Sequence, residues 1–130
     1  DQKYWGKLSL IDFIPVSGVP LKADNYYVHF ELCVNKTNIA GTFFDYFLIH
    51  NNLLFITESF VNTDEDGFGS LEKTQLVQLN MLTYSKKVIS TLENGRVVPL
   101  KIENDKIIYT KQIIHESVKH EFEQKIRDSS

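Results

Sequence analysis

The sequence is short of cysteine, of basic residues and of long apolar runs, and each shortage excludes a class of protein. Its one cysteine, Cys33, excludes an internal disulfide framework. Asp45, His50 and two asparagines interrupt the most apolar stretch, so no run approaches the ~18 residues of a membrane-spanning helix. Acidic residues (17) outnumber lysine and arginine (14), and the net charge of -3 argues against a nucleic-acid binder with a basic surface. The chain also lacks an initial methionine, so the sequence leaves open a cytoplasmic location, or a periplasmic or secreted one if Asp1 follows a removed signal peptide.

Recognisable catalytic, cofactor and metal motifs are also lacking. An EF-hand calcium loop beginning at Asn62 needs a closing glutamate at its twelfth position, where Lys73 stands. His115 and His120 are five residues apart, too far around a regular helix to bind one zinc ion together. Neither a glycine-rich phosphate loop nor a glycine-flanked nucleophilic serine is present. The sequence therefore predicts no enzyme, no cofactor and no metal site.

The most apolar stretch, residues 43–60, predicts two antiparallel strands joined by a tight turn. Aromatic and β-branched side chains crowd it, as pleated surfaces prefer. Asn51 and Asn52 stand at its centre, and asparagine tolerates the left-handed backbone that short hairpin turns require. Both faces of the first strand are largely apolar, so we expect it to be covered on both sides.

Further strands are predicted around this hairpin, with turn residues between them. Alternation is cleanest at residues 26–34, and Asn94-Gly95 and Asn104-Asp105 predict that the last three strands form a β-meander. Pro99, inside the middle one of these three, predicts an edge position or a bulge. Residues 35–41 are predicted as a turn. The predicted additional strands cover residues 4–14, 26–34, 74–84, 88–92, 96–102 and 106–114.

The C-terminal segment changes its pattern. Ile114, Val118, Phe122 and Ile126 recur every four residues among charged side chains. This spacing predicts a helix that buries one narrow apolar stripe.

Together these elements predict a single domain, residues 1–130, that is mostly β (α+β by count). It comprises about eight antiparallel strands in a curled sheet or barrel, with one C-terminal helix packed on it. The order of elements is similar to that of the lipocalin-like barrels. The lipocalin signature places a glycine before a tryptophan, whereas Trp5 here precedes Gly6, so the resemblance is one of architecture.

The acidic balance and the lack of catalytic motifs favour a non-enzymatic protein-interaction module. Small acidic inhibitors, such as bacterial immunity proteins that neutralise toxins, resemble this pattern. Acidic surfaces attract basic partners, so we expect a protein partner of basic, toxin-like character. The predicted partner-binding residues are Asp64, Glu65, Asp66 and Glu72.

The alternative function is a lipocalin-like β-barrel that binds a small apolar ligand. Its support is the aromatic content, 12% of the residues, together with strands that are apolar on both faces. A filled barrel core explains the same pattern. Tyr27, His29, Glu31 and Cys33 form a mixed strand face, which is the predicted lumen or sheet-face site. An ordinary half-exposed face of an antiparallel sheet has the same composition.

Overall fold

The computed structural model describes residues 2–5, 10–16, 19–20, 26–27, 29–67, 69–114 and 116–127. These described residues form twelve β-strands and no helix. In chain order the strands are β1 (Gln2–Trp5), β2 (Leu10–Pro15), β3 (Val19–Pro20), β4 (Tyr26–Tyr27), β5 (Phe30–Val34), β6 (Thr37–His50), β7 (Leu53–Thr63), β8 (Gly69–Asn80), β9 (Lys86–Glu93), β10 (Gly95–Glu103), β11 (Lys106–Ile113) and β12 (His120–Lys125).

The strands pair antiparallel in two main sheets and one short ribbon. The large sheet has seven strands in the order β1-β2-β5-β6-β7-β8-β9. The small sheet has three, in the order β10-β11-β12, and β3 pairs with β4. Strand β10 lies across β6, β7, β8 and β9, so the small sheet packs against one face of the large sheet.

The central hairpin predicted for residues 43–60 is confirmed. Strands β6 and β7 pair up to His50 opposite Leu53, and Asn51 at the turn has a φ of 55°. Every residue of β7 from Leu53 to Ser59 is buried. Alternate residues of a strand point to opposite faces, so the large sheet is covered on both sides here. Strand β6 begins earlier than predicted, and Gly41 lies within it at a φ of 115° and not in a turn.

The first core fills one face of the large sheet. Phe13 in β2 and Phe47 in β6 have ring centroids 5.4 Å apart, although β5 lies between their strands. The sheet therefore bends over its own face, and its side chains fill the concave side. The buried members of this core are Ile11, Phe13, Phe30, Leu32, Val34, Ile39, Phe43, Leu54, Ile56, Val77, Leu79 and Met81.

An ion pair between a buried carboxylate and a partly exposed lysine lies on this concave face. The Glu58 side chain is buried, and Lys86 Nζ lies 3.1 Å from each of its carboxylate oxygens, while Gln75 Nε2 donates to Oε1 at 2.8 Å. Lys86 Nζ also donates to the Ala40 carbonyl oxygen at 3.4 Å. Strands β6 and β9 are three positions apart, ~14 Å in a flat sheet with ~4.8 Å between strands. One lysine contacts both β6 and β7 from β9 because the sheet is curled. A Cβ at Gly41 would overlap the Glu58 carboxylate, so this glycine permits the close approach.

The second core lies between the two main sheets. Thr57 Oγ1 donates to the Val97 carbonyl oxygen at 2.6 Å. Thr74 Oγ1 donates to the Gly95 carbonyl oxygen and accepts from the Val97 amide, both at 2.9 Å. Threonine side chains of the large sheet thus satisfy backbone groups at the edge of β10, which would otherwise be buried without partners. The buried apolar members of the second core are Leu53, Phe55, Leu76, Val97, Ile107 and Tyr109.

The predicted β-meander is wrong at Asn94-Gly95. This dipeptide does not form a hairpin turn, because β9 pairs with β8 in the large sheet and β10 pairs with β11 in the small sheet. A Cβ at Gly95 would overlap the Leu92 side chain and the Gln112 carbonyl oxygen. The glycine therefore allows a close passage from one sheet to the other. The hairpin predicted at Asn104-Asp105 is confirmed, with φ values of 51° and 58°.

The predicted C-terminal helix is wrong, because residues 120–125 form β12, which pairs with β11. The reason is that a spacing of four residues also keeps side chains on one face of a strand, whose period is two. Phe122 stacks on Tyr109 with ring centroids 5.7 Å apart, and Ile126, four residues later, packs against the second core. The apolar residues do recur every four positions, but this spacing belongs here to a strand and not to a helix.

The closed barrel is also wrong. Strands β1 and β9 are the two ends of the large sheet and do not pair with each other in the described structure. The predicted similarity to the lipocalin-like barrels depended on a C-terminal helix and a closing sheet, and the described residues form neither. Side chains of the same sheet fill its concave face, where a lipocalin-like barrel would hold a ligand.

Several predicted strands have different bounds in the structure. The predicted strand of residues 4–14 is divided between β1 and β2, and that of residues 26–34 between β4 and β5. The strand predicted from about residue 74 is confirmed and begins earlier, at Gly69. The bulge predicted at Pro99 is confirmed by a register shift between Pro99 and Lys101 in β10, an edge strand of the small sheet.

Candidate functional site

The predicted mixed strand face does not form one continuous surface. Tyr27 belongs to β4, and its side chain lies outside the described part of the structure. Glu31 and Cys33 lie on β5, with Glu31 exposed and Cys33 half-buried. His29 precedes β5 and is buried. The face is therefore interrupted between a buried histidine and an exposed carboxylate.

His29 is the most unusual polar residue of this group. Its side chain is only 6% exposed, and neither Nδ1 nor Nε2 has a hydrogen-bond partner among the described residues. Burial lowers the pKa of the imidazole below its ordinary value, because the charged form loses its hydration. The Val16 amide donates to the His29 carbonyl oxygen at 3.0 Å and fixes the backbone here. The site favours a neutral imidazole.

The predicted partner-binding acids lie on the β7–β8 hairpin. Asp64, Glu65 and Asp66 are exposed in its turn, where the Asp66 amide donates to Asp64 Oδ1 at 3.0 Å and the Gly67 amide donates to the Asp64 carbonyl oxygen at 3.1 Å. Glu72 is exposed on β8, within a register shift of the β7–β8 pairing. The turn is closed by its own backbone. No group of three or more His, Cys, Asp or Glu side chains in the described residues is placed to hold a metal ion.

A groove that the sequence analysis did not predict lies on the outer face of the small sheet. Its volume is about 370 Å³, which is at the lower end of the range for binding sites in proteins. Residues Arg96, Val98 and Leu100 of β10 run along it, and β6 supplies one wall. The groove is lined by Tyr46, Arg96, Val98, Leu100, Thr110, Gln112 and Lys119.

Contacts with β6 hold the Arg96 guanidinium at one end of this groove. Its Nη1 donates to the Tyr46 hydroxyl at 3.1 Å, and its Cζ lies 5.3 Å from the centroid of the Phe44 ring. The Phe44 and Tyr46 rings are themselves 5.6 Å apart. Arginine carries five N–H donors, and this is the one hydrogen bond it makes to the described residues. The guanidinium is thus oriented and retains donors for a ligand.

The lining of the groove carries positive charge without a compensating acid. Arg96 and Lys119 are both cations, and none of the seven lining residues is Asp or Glu. Within the described part of the chain, Lys119 has no ion pair. Glu121 of β12 pairs with Thr110 and is not part of the lining. In a chain of net charge -3, this groove is a local cationic surface.

Part of this groove was accessible to sequence reasoning. The Asn104-Asp105 turn alone would place Arg96 opposite Ile113, and the bulge at Pro99 shifts the register so that Arg96 lies opposite Gln112 and Val98 opposite Thr110. Those four residues share one sheet face because directly paired residues point the same way. The presence of Tyr46 could not be predicted, since β6 belongs to the large sheet and no local sequence pattern predicts that β6 packs beside β10.

A second concavity of about 240 Å³ lies between the small sheet and β9. Lys111 Nζ lies 5.2 Å from the centroid of the Phe122 ring there. Leu92 and Ile113 contribute apolar surface, and Glu116 and His120 complete the lining. Its charges are mixed, in contrast to the groove on the outer face.

Comparison with protein-family models, curated proteins and solved structures finds no significant match to this chain. The described residues also include no helix of the length and apolarity needed to cross a membrane.

Proposed function

We propose that the protein is a non-catalytic module that binds another protein through its small sheet. The observation that carries this proposal is the concentration of exposed apolar side chains there. Leu100, Ile113, Val118 and Phe122 are 49%, 43%, 55% and 42% exposed. Leu100 lines the groove on the outer face, Ile113 and Phe122 line the second concavity, and Val118 lies in the β11–β12 connection. Single exposed apolar residues are ordinary, but apolar side chains exposed in surface concavities are typical of protein-binding surfaces.

A second group of exposed apolar residues lies outside the small sheet, and it is a weaker candidate for the binding surface. Leu82, Tyr84 and Val88 surround the β8–β9 connection, and no described concavity adjoins them. The small sheet combines exposed apolar side chains with two concavities. It is therefore the better binding surface by shape and by chemistry.

The acidic turn is the second candidate surface. Asp64, Glu65 and Asp66 are exposed at the tip of a hairpin, where a basic partner has free access. This arrangement suits electrostatic attraction of a basic protein, as the sequence analysis proposed. An inhibitor or immunity role is a narrower form of the same proposal, and no contact in the described structure favours it over other binding roles.

The small-ligand alternative has less support. It depended on a closed barrel, and the large sheet does not close. Both described concavities open on the surface, and the concave face of the large sheet is occupied by its own side chains.

Site-specific photocrosslinking in the source cell tests the proposal. A photoreactive phenylalanine analogue is placed at Val118 in the β11–β12 connection or at Phe122 on β12, at Glu65 in the acidic turn, and at Lys36 in the β5–β6 turn as an exposed control. We expect one protein to crosslink from positions 118 and 122 and not from position 36. Crosslinking from position 65 alone would move the binding surface to the acidic turn. Absence of a specific crosslink from all three test positions contradicts a protein-binding function.

A further inference from the structure

We infer that the groove on the outer face of the small sheet binds an extended acidic segment of a partner protein. The segment carries one carboxylate and has apolar side chains two and four residues away from it. This inference deepens the proposed function and rests on it. It names the chemistry of the partner at one of the two concavities.

The positive charge of the groove is complementary to the negative charge of an acidic segment. Arg96 and Lys119 supply positive charge, and the groove lining contains no acid. Arg96 is held by Tyr46 and Phe44, so little side-chain entropy is lost when it forms further hydrogen bonds. A guanidinium with free donors in a fixed orientation is suited to a carboxylate, which can accept two parallel hydrogen bonds.

A second argument is the spacing of the groove residues. Arg96 and Val98 are successive residues on one side of β10, separated by ~6.6 Å as in an extended strand, and Leu100 lies at the bulge between Pro99 and Lys101 and also lines the groove. An extended peptide repeats its side chains at the same interval. A carboxylate placed at Arg96 therefore puts the side chain two residues away opposite Val98 and the side chain four residues away near Leu100. Half-exposed Leu100 gains apolar contact from such a segment, which it lacks in the free protein.

An acidic residue next to the groove also affects how strongly an acidic segment binds. Glu121 is the β12 residue paired with Thr110 of the groove lining, so its carboxylate lowers the attraction of the groove for an acidic ligand. Substitution of the same glutamate is expected to change binding strength in the opposite direction from substitution of a cation. Removing its charge should strengthen binding, whereas removing a cation should weaken it.

The test is a titration monitored by backbone amide NMR, with a capped synthetic peptide of sequence Ser-Glu-Ser-Leu-Ser-Leu-Ser as the probe. We expect saturable shifts at the amides of Arg96, Val98 and Thr110. A peptide with Gln in place of Glu should bind at least tenfold more weakly, because a charge-assisted hydrogen bond is lost. A peptide with both leucines moved by one residue should bind at least threefold more weakly, because its apolar side chains no longer face Val98 and Leu100.

Protein variants separate the groove from non-specific charge. Arg96→Gln should weaken peptide binding at least tenfold and Lys119→Gln about threefold, while Glu121→Gln should strengthen it about twofold. Lys125→Gln removes an exposed lysine of β12 outside the groove and should leave affinity unchanged. Lys119 makes no described ion pair and no described ring contact, so its variant remains informative if Arg96→Gln perturbs the fold.

Three results would overturn the inference: equal binding of the Glu and Gln peptides, shifts outside the groove only, or octanoate binding as tightly as the peptide. The last result would assign the groove to a small free carboxylate. Failure of this test together with specific crosslinking at Val118 or Phe122 leaves the proposed protein-binding function standing. Absence of crosslinks contradicts that function separately.

Discussion

The two main sheets differ in how they use their apolar side chains. The first core of the large sheet holds twelve buried side chains, none more than 7% exposed. The small sheet places Leu100 and Phe122 at the surface with more than two fifths of each exposed. Buried apolar area stabilises a fold by about 25 cal/mol per Å², and exposed area does not. The comparison indicates that stability resides mainly in the large sheet and recognition in the small one.

Polar side chains are also divided between the sheets. In the large sheet the buried polar residues Glu58, Thr57 and Thr74 all have partners, and two of them bond to the backbone of β10. In the small sheet Arg96 and Lys119 line an open groove with donors available. Paired polar groups fix the structure, whereas available ones can bind a ligand.

Removal of a phenylalanine ring from each sheet gives the strongest test of this division. Phe13 is fully buried in the first core, so Phe13→Ala should lower the free energy of unfolding by about 3–5 kcal/mol. Phe122 is 42% exposed and stacks on Tyr109, so Phe122→Ala should cost about 1 kcal/mol. Urea denaturation followed by circular dichroism measures both. Equal losses would contradict the assignment of stability to the large sheet.

Variants of the Glu58–Lys86 ion pair test how much this contact across the curled large sheet contributes to the free energy of unfolding. Lys86→Met leaves the buried Glu58 carboxylate without its cation and should lower the free energy of unfolding by about 3 kcal/mol. Lys125→Met, at an exposed site, is the matched control and should change it by less than about 0.5 kcal/mol. Adding Glu58→Gln to Lys86→Met should recover part of the loss, since the unpaired charge disappears. No recovery in the double variant would mean that the lysine acts through packing on Phe43.

The two threonines under β10 test how the sheets are joined. Thr57→Val retains the shape of the side chain and removes the donor to the Val97 carbonyl oxygen. We expect a loss of about 1–3 kcal/mol in the free energy of unfolding, because a buried acceptor is left unpaired. Thr74→Val should behave similarly, and Thr63→Val at the exposed end of β7 is the control. A loss no larger than that of the control would show that apolar contacts alone hold β10 in place.

Local patterns predicted the strands of this fold better than they predicted their partners. The hairpin at Asn51-Asn52 and the turn at Asn104-Asp105 follow from the left-handed backbone that asparagine and aspartate tolerate. Asn94-Gly95 carries an equally strong hairpin signal, yet it joins two sheets. The deciding contact is the passage of Gly95 against Leu92 and Gln112, which no local rule contains.

The C-terminal error shows a general ambiguity of period. Residues four apart share a face in both a helix and a strand, so Phe122 and Ile126 alone do not distinguish the two. Apolar residues three apart would have indicated a helix, and the segment has none among its four apolar positions. The groove was missed for a related reason. Its β10 and β11 residues follow from the hairpin turn and the Pro99 bulge together, whereas Tyr46 reaches the groove only because the two main sheets pack together.

The smallest expected effect is a change in the pH dependence of the free energy of unfolding. It is tested by comparing a buried histidine near the large sheet with an exposed one on the small sheet. Burial lowers the pKa of His29 below its usual value of 6.5, so the unfolded chain binds a proton that the folded protein resists. His29 therefore costs no stability well above pH 6.5 and destabilises the fold progressively as the pH falls below that value. His29→Leu should reduce the difference between the free energies of unfolding at pH 7.5 and pH 5.0. His120→Leu on exposed β12 controls for the loss of a histidine elsewhere in the fold. An unchanged pH dependence in His29→Leu would mean that the buried imidazole acquires a proton at little cost, which would require an acceptor for it in the folded protein.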